Sequence, residues 1–201
     1  MMWKKTMAIL KEVKDRVSTS FKLREVTIKD QVRAAKKEQR PSLLDLIGQK
    51  ESNGKYNAFY GNADNEDVKF TEMKVSDVRS WQDRFVHNGS ASSAVGKYQI
   101  IRKTMDSLIS DLNLTGDELF DEELQDKMAL QLAKRRGYDK WKNGSLDDAA
   151  FANNLAKEWA SFPVVGGNKH GRSYYAGDGL NKALISPDEV LRALDNDRRD
   201  V

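Results

Sequence analysis

The chain has no cysteine, and this absence excludes several kinds of chemistry. Without thiols it can form neither disulfides nor thiolate nucleophiles and metal ligands. Histidine is also scarce: His87 and His170 are far apart in the sequence, with no His-x-x-x-His pairing. The sequence therefore predicts no metal site, and no motif in it calls for a cofactor.

Long hydrophobic runs are absent as well. No apolar segment approaches the ~18 residues that a membrane-spanning helix needs, and the mean hydropathy is −0.71. The first residues, MMWKKTMAILKEVKDRV, carry charges where a signal peptide would have an uninterrupted apolar region. We therefore expect neither a membrane span nor a secretory signal.

Charge divides the chain into two parts. Residues 1–40 carry 12 Lys and Arg against 5 Asp and Glu, whereas residues 41–201 carry 22 against 26. Pro41 marks a break between them, because the residue before a proline avoids the helical region. The sequence predicts a basic N-terminal arm (1–40) joined to a mildly acidic domain (41–201).

The arm is predicted to be an amphipathic helix. Apolar residues from Trp3 to Phe21 recur at steps of three and four and form one stripe between basic faces. A single stripe cannot make its own core, so the arm would pack on the domain, a partner or a membrane surface. We favour packing or assembly over binding to nucleic acid or to a membrane surface.

The domain is predicted to be mainly α-helical. Ser42 and Asp45 form a capping box that begins a helix ending near Gly54, and helical periodicity recurs through most of the later sequence. Residues 55–75 are polar and rich in turn formers, which favours a small irregular or β region. The expected fold class is therefore a helical domain with a minor β component.

Two further helix starts are predicted from capping residues. Ser76 would cap a short helix that carries Val78 and Trp81. Ser145, with Asp148 three positions later, would cap a helix that carries Trp159 and stops before Pro163.

Glu51 is the most unusual acid in the sequence. It follows Ile47 by four positions and Leu44 by seven, so it continues an apolar helix face. It also lies in the last helical turn, where the helix dipole disfavours a negative charge. Both effects raise the pKa of a carboxyl group, as a general acid requires. The alternative is a solvated glutamate beside Lys50 or Lys55, and the helix alone does not decide between them.

Two polar clusters suggest a ligand for this acid. The first runs from Ser52 to Asn62 and includes Tyr60; the second is SSAVGKYQII, from Ser92 to Ile101. Hydroxyls, amides and aromatic faces together are typical of sites that bind sugars. Composition alone favours an ordinary polar surface loop with one core tyrosine.

The order of these motifs resembles that of the lytic transglycosylases of the phage lambda endolysin type. KES at 50–52 is followed by Gly-Lys-Tyr-Gln at 96–99, and the likeness continues through FTEM at 70–73, LQDKMALQLAKRRG at 124–137 and EWASFP at 158–163. It covers roughly residues 42–195 and excludes the arm. It implies an α+β, lysozyme-like fold for the catalytic domain.

The resemblance also implies a reaction. Enzymes of this type cleave the β-1,4 bond between N-acetylmuramic acid (MurNAc) and N-acetylglucosamine (GlcNAc) in peptidoglycan. Glu51 would protonate the bridging oxygen and then accept the proton of the muramoyl 6-hydroxyl as it closes on C1. The product is a 1,6-anhydro sugar, and no water is consumed.

Residues can be assigned to the glycan cleft in the same way. The Ser52–Asn62 cluster would form one wall, with Gly96–Gln99 opposite. The implied substrate-binding residues are Ser52, Tyr60, Ser93, Gly96, Tyr98, Gln99, Trp159 and Ser161. The implied partner is a peptidoglycan glycan strand.

Two other functions remain open. A hydrolytic muramidase would need a second carboxylate, for which the candidates are Asp64, Asp67, Glu72 and Asp77. A structural virion or tail protein that binds cell wall would use the arm for assembly. We expect the protein in a phage particle, or made in the host cytoplasm and released to the cell wall during lysis or genome delivery.

Overall fold

The computed structural model describes residues 42–179 and 181–199. The predictions for the basic arm at 1–40, and for the domain boundary that follows it, lie outside these residues. Among the described helices, none is long and apolar enough to cross a membrane.

The described part of the chain is mainly helical, as predicted. Seven α-helices follow one another: α1 (Leu43–Ser52), α2 (Val75–His87), α3 (Arg102–Asp111), α4 (Glu122–Arg135), α5 (Tyr138–Lys142), α6 (Asp148–Leu155) and α7 (Pro187–Arg199). Short 3-10 turns occur at Phe70–Glu72 and Gly167–Lys169.

The capping box predicted for the first helix is present. The Ser42 side chain accepts from the Asp45 backbone N–H, and the Asp45 carboxylate accepts from the Ser42 backbone N–H. Helix α1 packs against α4 and α7, and its Leu43 and Ile47 are fully buried. The helix that carries Glu51 is therefore held from two sides.

Two of the predicted helix boundaries are wrong. Helix α2 starts at Val75 with Lys74 at the N-cap position, so Ser76 lies inside the first turn. Helix α6 is capped by the Asp147 side chain and ends at Leu155. Trp159 therefore lies in the irregular segment after α6.

The segment between α1 and α2 contains the predicted irregular region. It has isolated β-bridges, Phe59 with Asn62 and Phe59 with Val95, and no longer ladder among the described residues. An aromatic cluster fixes it to the core: Phe59 lies 5.3 Å from Trp81 and 6.4 Å from Phe70 between ring centroids. The loop is thus anchored although it has little regular structure.

Candidate functional site

Glu51 lies in the last turn of α1, and the backbone after it turns sharply away. Asn53 adopts a left-handed conformation (φ 54°), and Gly54 follows with φ 76°. The N–H of Gly54 donates to the Gly48 carbonyl at 2.9 Å, which satisfies one of the carbonyls left free at the helix end. The predicted stop at Gly54 is thus displaced by one residue, because asparagine also tolerates this conformation.

The environment of Glu51 favours its protonated form. Burial raises the pKa of Glu51 above its ordinary value of 4.5, because the ionised carboxylate loses solvation. Ser161 opposes this shift: its Oγ donates to Glu51 Oε1 at 2.5 Å, and its backbone N–H also lowers the pKa. The balance is a carboxyl group with a raised pKa that is held in one orientation by a single neighbour.

Glu51 opens into a groove of about 620 Å³. Six of the nine predicted site residues line it, namely Glu51, Tyr60, Tyr98, Gln99, Trp159 and Ser161. The structure thus brings together residues that are up to 110 positions apart in the chain.

The other three predicted residues, Ser52, Ser93 and Gly96, do not line the groove, and their expected contact with substrate is corrected. Ser52 is 2% exposed, and its Oγ donates to the Lys97 carbonyl at 2.8 Å. The Ser93 hydroxyl accepts from the Arg102 N–H at 3.0 Å. These two hydroxyls bond to other groups of the protein, so they hold the wall of the groove in place and are not available to bind a sugar.

Gly96 has a conformational and packing role. It adopts φ 77°, and a Cβ there would lie 2.3 Å from Gln125 Oε1. Its N–H donates to the Ala58 carbonyl at 2.8 Å. The segments that were predicted to form opposite walls, Ser52–Asn62 and Gly96–Gln99, are therefore joined by hydrogen bonds.

Gln99 is held in a strained conformation at the groove. It has φ 48°, which is uncommon for a residue with a side chain. A tight turn imposes it: Val95 and Ile100 pair on either side, and Gln99 Nε2 donates to the Gly96 carbonyl at 2.9 Å. Such strain persists only where the surroundings fix it, and it often occurs at functional sites.

Tyr98 borders the groove but is almost completely buried, and its hydroxyl is bonded within the protein. Its side chain is 2% exposed, and the hydroxyl donates to Asp126 Oδ1 at 2.6 Å. Burial, followed by this bond to a carboxylate, strongly raises the pKa of Tyr98. A hydrogen bond donated by the Tyr98 hydroxyl to a sugar would require breaking this contact.

Lys97 lies behind the groove and connects its parts. Its ammonium lies 3.0 Å from the Tyr56 hydroxyl and 3.7 Å from Asp126 Oδ1. Its backbone N–H donates to Gln125 Oε1 at 2.9 Å, and its carbonyl accepts from Ser52. Helix α1, the 96–99 turn and helix α4 are thus tied together directly behind the acid.

Sequence reasoning missed several groove residues. Glu158 is the second carboxylate that lines the groove, and the Arg136 guanidinium binds its Oε2 through Nε at 2.8 Å and Nη2 at 2.7 Å. Asn181, Lys182 and Leu184 also line the groove. Glu158 lies inside the EWASFP motif, but no spacing rule indicated that it would face the groove.

The carboxylates proposed for a hydrolytic mechanism lie elsewhere. Asp64, Asp67, Glu72 and Asp77 are not part of the groove lining. Asp64 borders a separate, smaller cavity of about 310 Å³ together with Glu66 and Glu122. The four predicted acids therefore do not face the Glu51 carboxyl across the groove.

Removal of the Ser52 hydroxyl tests its structural role. Ser52→Ala leaves the buried Lys97 carbonyl without its side-chain donor, so we expect a loss of about 1–3 kcal/mol in the free energy of unfolding. The Ser52 hydroxyl also bonds the Gly48 carbonyl, four residues earlier. Ser80→Ala is the matched control, because the Ser80 hydroxyl makes the same kind of bond to Ser76 but is exposed. Urea denaturation measures the free energy of unfolding of both variants. Equal losses would contradict the structural role of the bond between Ser52 and the Lys97 carbonyl.

Comparison with known proteins identifies the class. A family model, Endolysin, matches residues 42–183, which is most of the chain. The chain therefore belongs to the endolysin family, the phage enzymes that degrade bacterial cell wall, and peptidoglycan is its substrate. A search of curated proteins and a search of solved structures each found no match.

Proposed function

We propose that this endolysin is a lytic transglycosylase that cleaves the MurNAc-β-1,4-GlcNAc bond of peptidoglycan and forms 1,6-anhydro-MurNAc. The observation that supports this most is that one buried carboxyl, Glu51, opens into the groove and is held by Ser161. Glu51 is the groove carboxyl with a raised pKa, whereas Glu158 is bound by Arg136.

In this reaction Glu51 serves first as acid and then as base. Its proton passes to the bridging oxygen, the C1–O bond breaks, and GlcNAc leaves with a free 4-hydroxyl. The muramoyl 6-hydroxyl then attacks C1 and gives its proton to the Glu51 carboxylate. The atoms balance without water, and Glu51 ends protonated for the next cycle.

Ser161 would hold the acid in place during both steps. The hydroxyl bonds the carboxylate more strongly than the neutral carboxyl, so it stabilises the ionised intermediate state. Gln99, Tyr60 and Tyr98 line the groove and would contact the glycan. Tyr60 is 45% exposed and offers a ring for stacking on a sugar.

Hydrolysis is the second candidate, because Glu158 also lines the groove. A muramidase would use Glu158 to activate water or to attack C1. In the single-acid mechanism Glu158→Gln weakens only the contact with Arg136 and leaves anhydro products. Mass spectrometry of digested peptidoglycan distinguishes the two: anhydro ends support the proposal, and reducing ends contradict it.

The pH dependence of activity tests the contact between Ser161 and Glu51. Cleavage needs protonated Glu51, so activity falls as pH rises through the pKa of Glu51. Ser161→Ala removes a donor that lowers this pKa, so the alkaline limb of the pH–rate profile should move to higher pH. We expect the maximal rate to fall by about fivefold, because about 1 kcal/mol of the hydroxyl's preference for the ionised carboxylate is lost.

Ser92→Ala is the control for this shift. Ser92 also lines the groove, but its hydroxyl accepts from the Ala94 N–H and does not contact Glu51. The alkaline limb of the pH–rate profile of Ser92→Ala should stay at the wild-type position. A limb that moves to lower pH in Ser161→Ala would contradict the assignment of Glu51 as the acid.

A further inference from the structure

A basic and aromatic patch lies on the segment that follows α6, and the first residues of this segment, Glu158 to Ser161, line the groove. Two lysine ammonium groups flank one ring: Lys157 Nζ is 5.9 Å and Lys169 Nζ is 5.4 Å from the centroid of Tyr174. Tyr175 packs edge-on against Tyr174, and these two rings are 42% and 41% exposed. We call Lys157, Lys169, Tyr174 and Tyr175 the Tyr174 patch.

Neither lysine of the patch forms an ion pair with a carboxylate of the described residues. Lys157 Nζ donates to the Asn154 side-chain oxygen at 3.2 Å, and Lys169 Nζ donates to the Tyr174 carbonyl at 2.8 Å. Two ammonium groups near one ring repel each other, and the ring only partly offsets this. A carboxylate bound between them would relieve the repulsion.

The patch is preformed. Asn153 Nδ2 donates to the Val165 carbonyl at 3.0 Å, and its Oδ1 accepts from the Val165 N–H at 2.6 Å, which fixes the start of the loop on α6. The Tyr175 hydroxyl donates to the Lys157 carbonyl at 2.7 Å. A bound group therefore meets cations already in place, and little ordering entropy is lost on binding.

The position of the patch connects it with the substrate. Lys157 directly precedes Glu158, Trp159 and Ser161, which line the groove. The same loop leads on to Asn181 and Lys182, which line it as well. The patch and one side of the groove are therefore built from one continuous segment of the chain.

We propose that the Tyr174 patch binds the carboxylates of the peptide stem carried by MurNAc. This inference rests on the proposed function, because the glycan must occupy the groove. The stem is an acidic peptide attached to the same sugar whose C1 reacts, so it leaves the groove close to the acid. The lysines supply the charge, and the tyrosine faces contact the peptide backbone and its apolar side chains.

Calorimetric titration of the full chain carrying Glu51→Gln, which prevents cleavage, tests this inference. Three short GlcNAc–MurNAc fragments serve as ligands: one with free stem carboxylates, one with the same stem amidated, and one without a stem. We expect the free-carboxylate fragment to bind about three- to tenfold more tightly than the amidated one, the range for two exposed ion pairs. Adding Lys157→Gln and Lys169→Gln should abolish this preference.

The matched control removes two other charges. Lys134 and Lys140 are exposed and lie outside the groove lining, so Lys134→Gln with Lys140→Gln should keep the preference. Equal affinity of the parent for the two stems, or a preference that survives loss of Lys157 and Lys169, would overturn the inference. The inference would also be overturned if a phosphate polymer competes for the patch while the protein shows no preference between the two stems. Failure to bind even the stem-free fragment would instead contradict the glycan groove itself.

Discussion

Glu51→Gln is expected to lower the rate of peptidoglycan cleavage by about 10²–10⁴-fold, the usual contribution of a general acid. Glutamine keeps the shape of the side chain and an oxygen that can accept from Ser161, but it has no proton to give. Release of soluble muropeptides from purified cell wall measures the loss.

Two other acids serve as controls for this variant. Glu72→Gln and Asp64→Asn remove carboxylates that do not line the groove, so both should cleave at wild-type rates. Wild-type activity in Glu51→Gln, or a comparable loss in either control, would show that the acid has been misassigned.

Glu51→Gln is also expected to change the thermal stability of the protein. Burial raises the pKa of Glu51 above 4.5 in the folded state, so folding favours the protonated form. The stability that the proton provides is complete below pH 4.5 and is lost as pH rises through the folded pKa. Glutamine cannot ionise, so its melting temperature should exceed that of the wild type at neutral pH, with a difference that disappears in acid.

Gly96→Ala is expected to lower the free energy of unfolding by about 2–5 kcal/mol, from left-handed backbone strain together with overpacking. The new Cβ would lie 2.3 Å from Gln125 Oε1 and 3.1 Å from Phe120 Cε1. Since Gln125 Oε1 also accepts from the Lys97 N–H, its displacement would loosen the turn that carries Gln99. Urea denaturation measures the loss, and cleavage activity should fall with it.

Gly171→Ala separates the two causes. Gly171 has nearly the same backbone angle, φ 75°, but a Cβ there meets no atom within 4 Å. It should therefore lose only about 1–2 kcal/mol, the cost of the left-handed conformation. Equal losses at the two positions would mean that close packing against Gln125 does not govern the turn.

The buried position of Glu51 was predictable from the sequence because its signal is local. Glu51 follows Ile47 by one helical turn, so the periodicity places it on the buried side. The helix start at Ser42 was predictable for the same reason, since a capping box is complete within four residues. The family resemblance added the second segment, Gly96–Gln99.

The features of the groove that could not be predicted from the sequence depend on packing between distant parts of the chain. A hydroxyl such as that of Ser52 satisfies either a ligand or a backbone carbonyl, and only the approach of Lys97 decides which. Ser161 reaches Glu51 from 110 positions away. Glu158 and the 181–184 segment face the groove because of how the chain folds back after α6, which no local pattern indicates.

Cleavage in water enriched in oxygen-18 tests the single-acid mechanism most directly. The 6-hydroxyl of MurNAc is the proposed attacking group, so no solvent oxygen enters the product. Mass spectrometry should find 1,6-anhydro-MurNAc ends without the heavy isotope. Reducing MurNAc ends that carry oxygen-18 at C1 would contradict the account and identify the protein as a hydrolase.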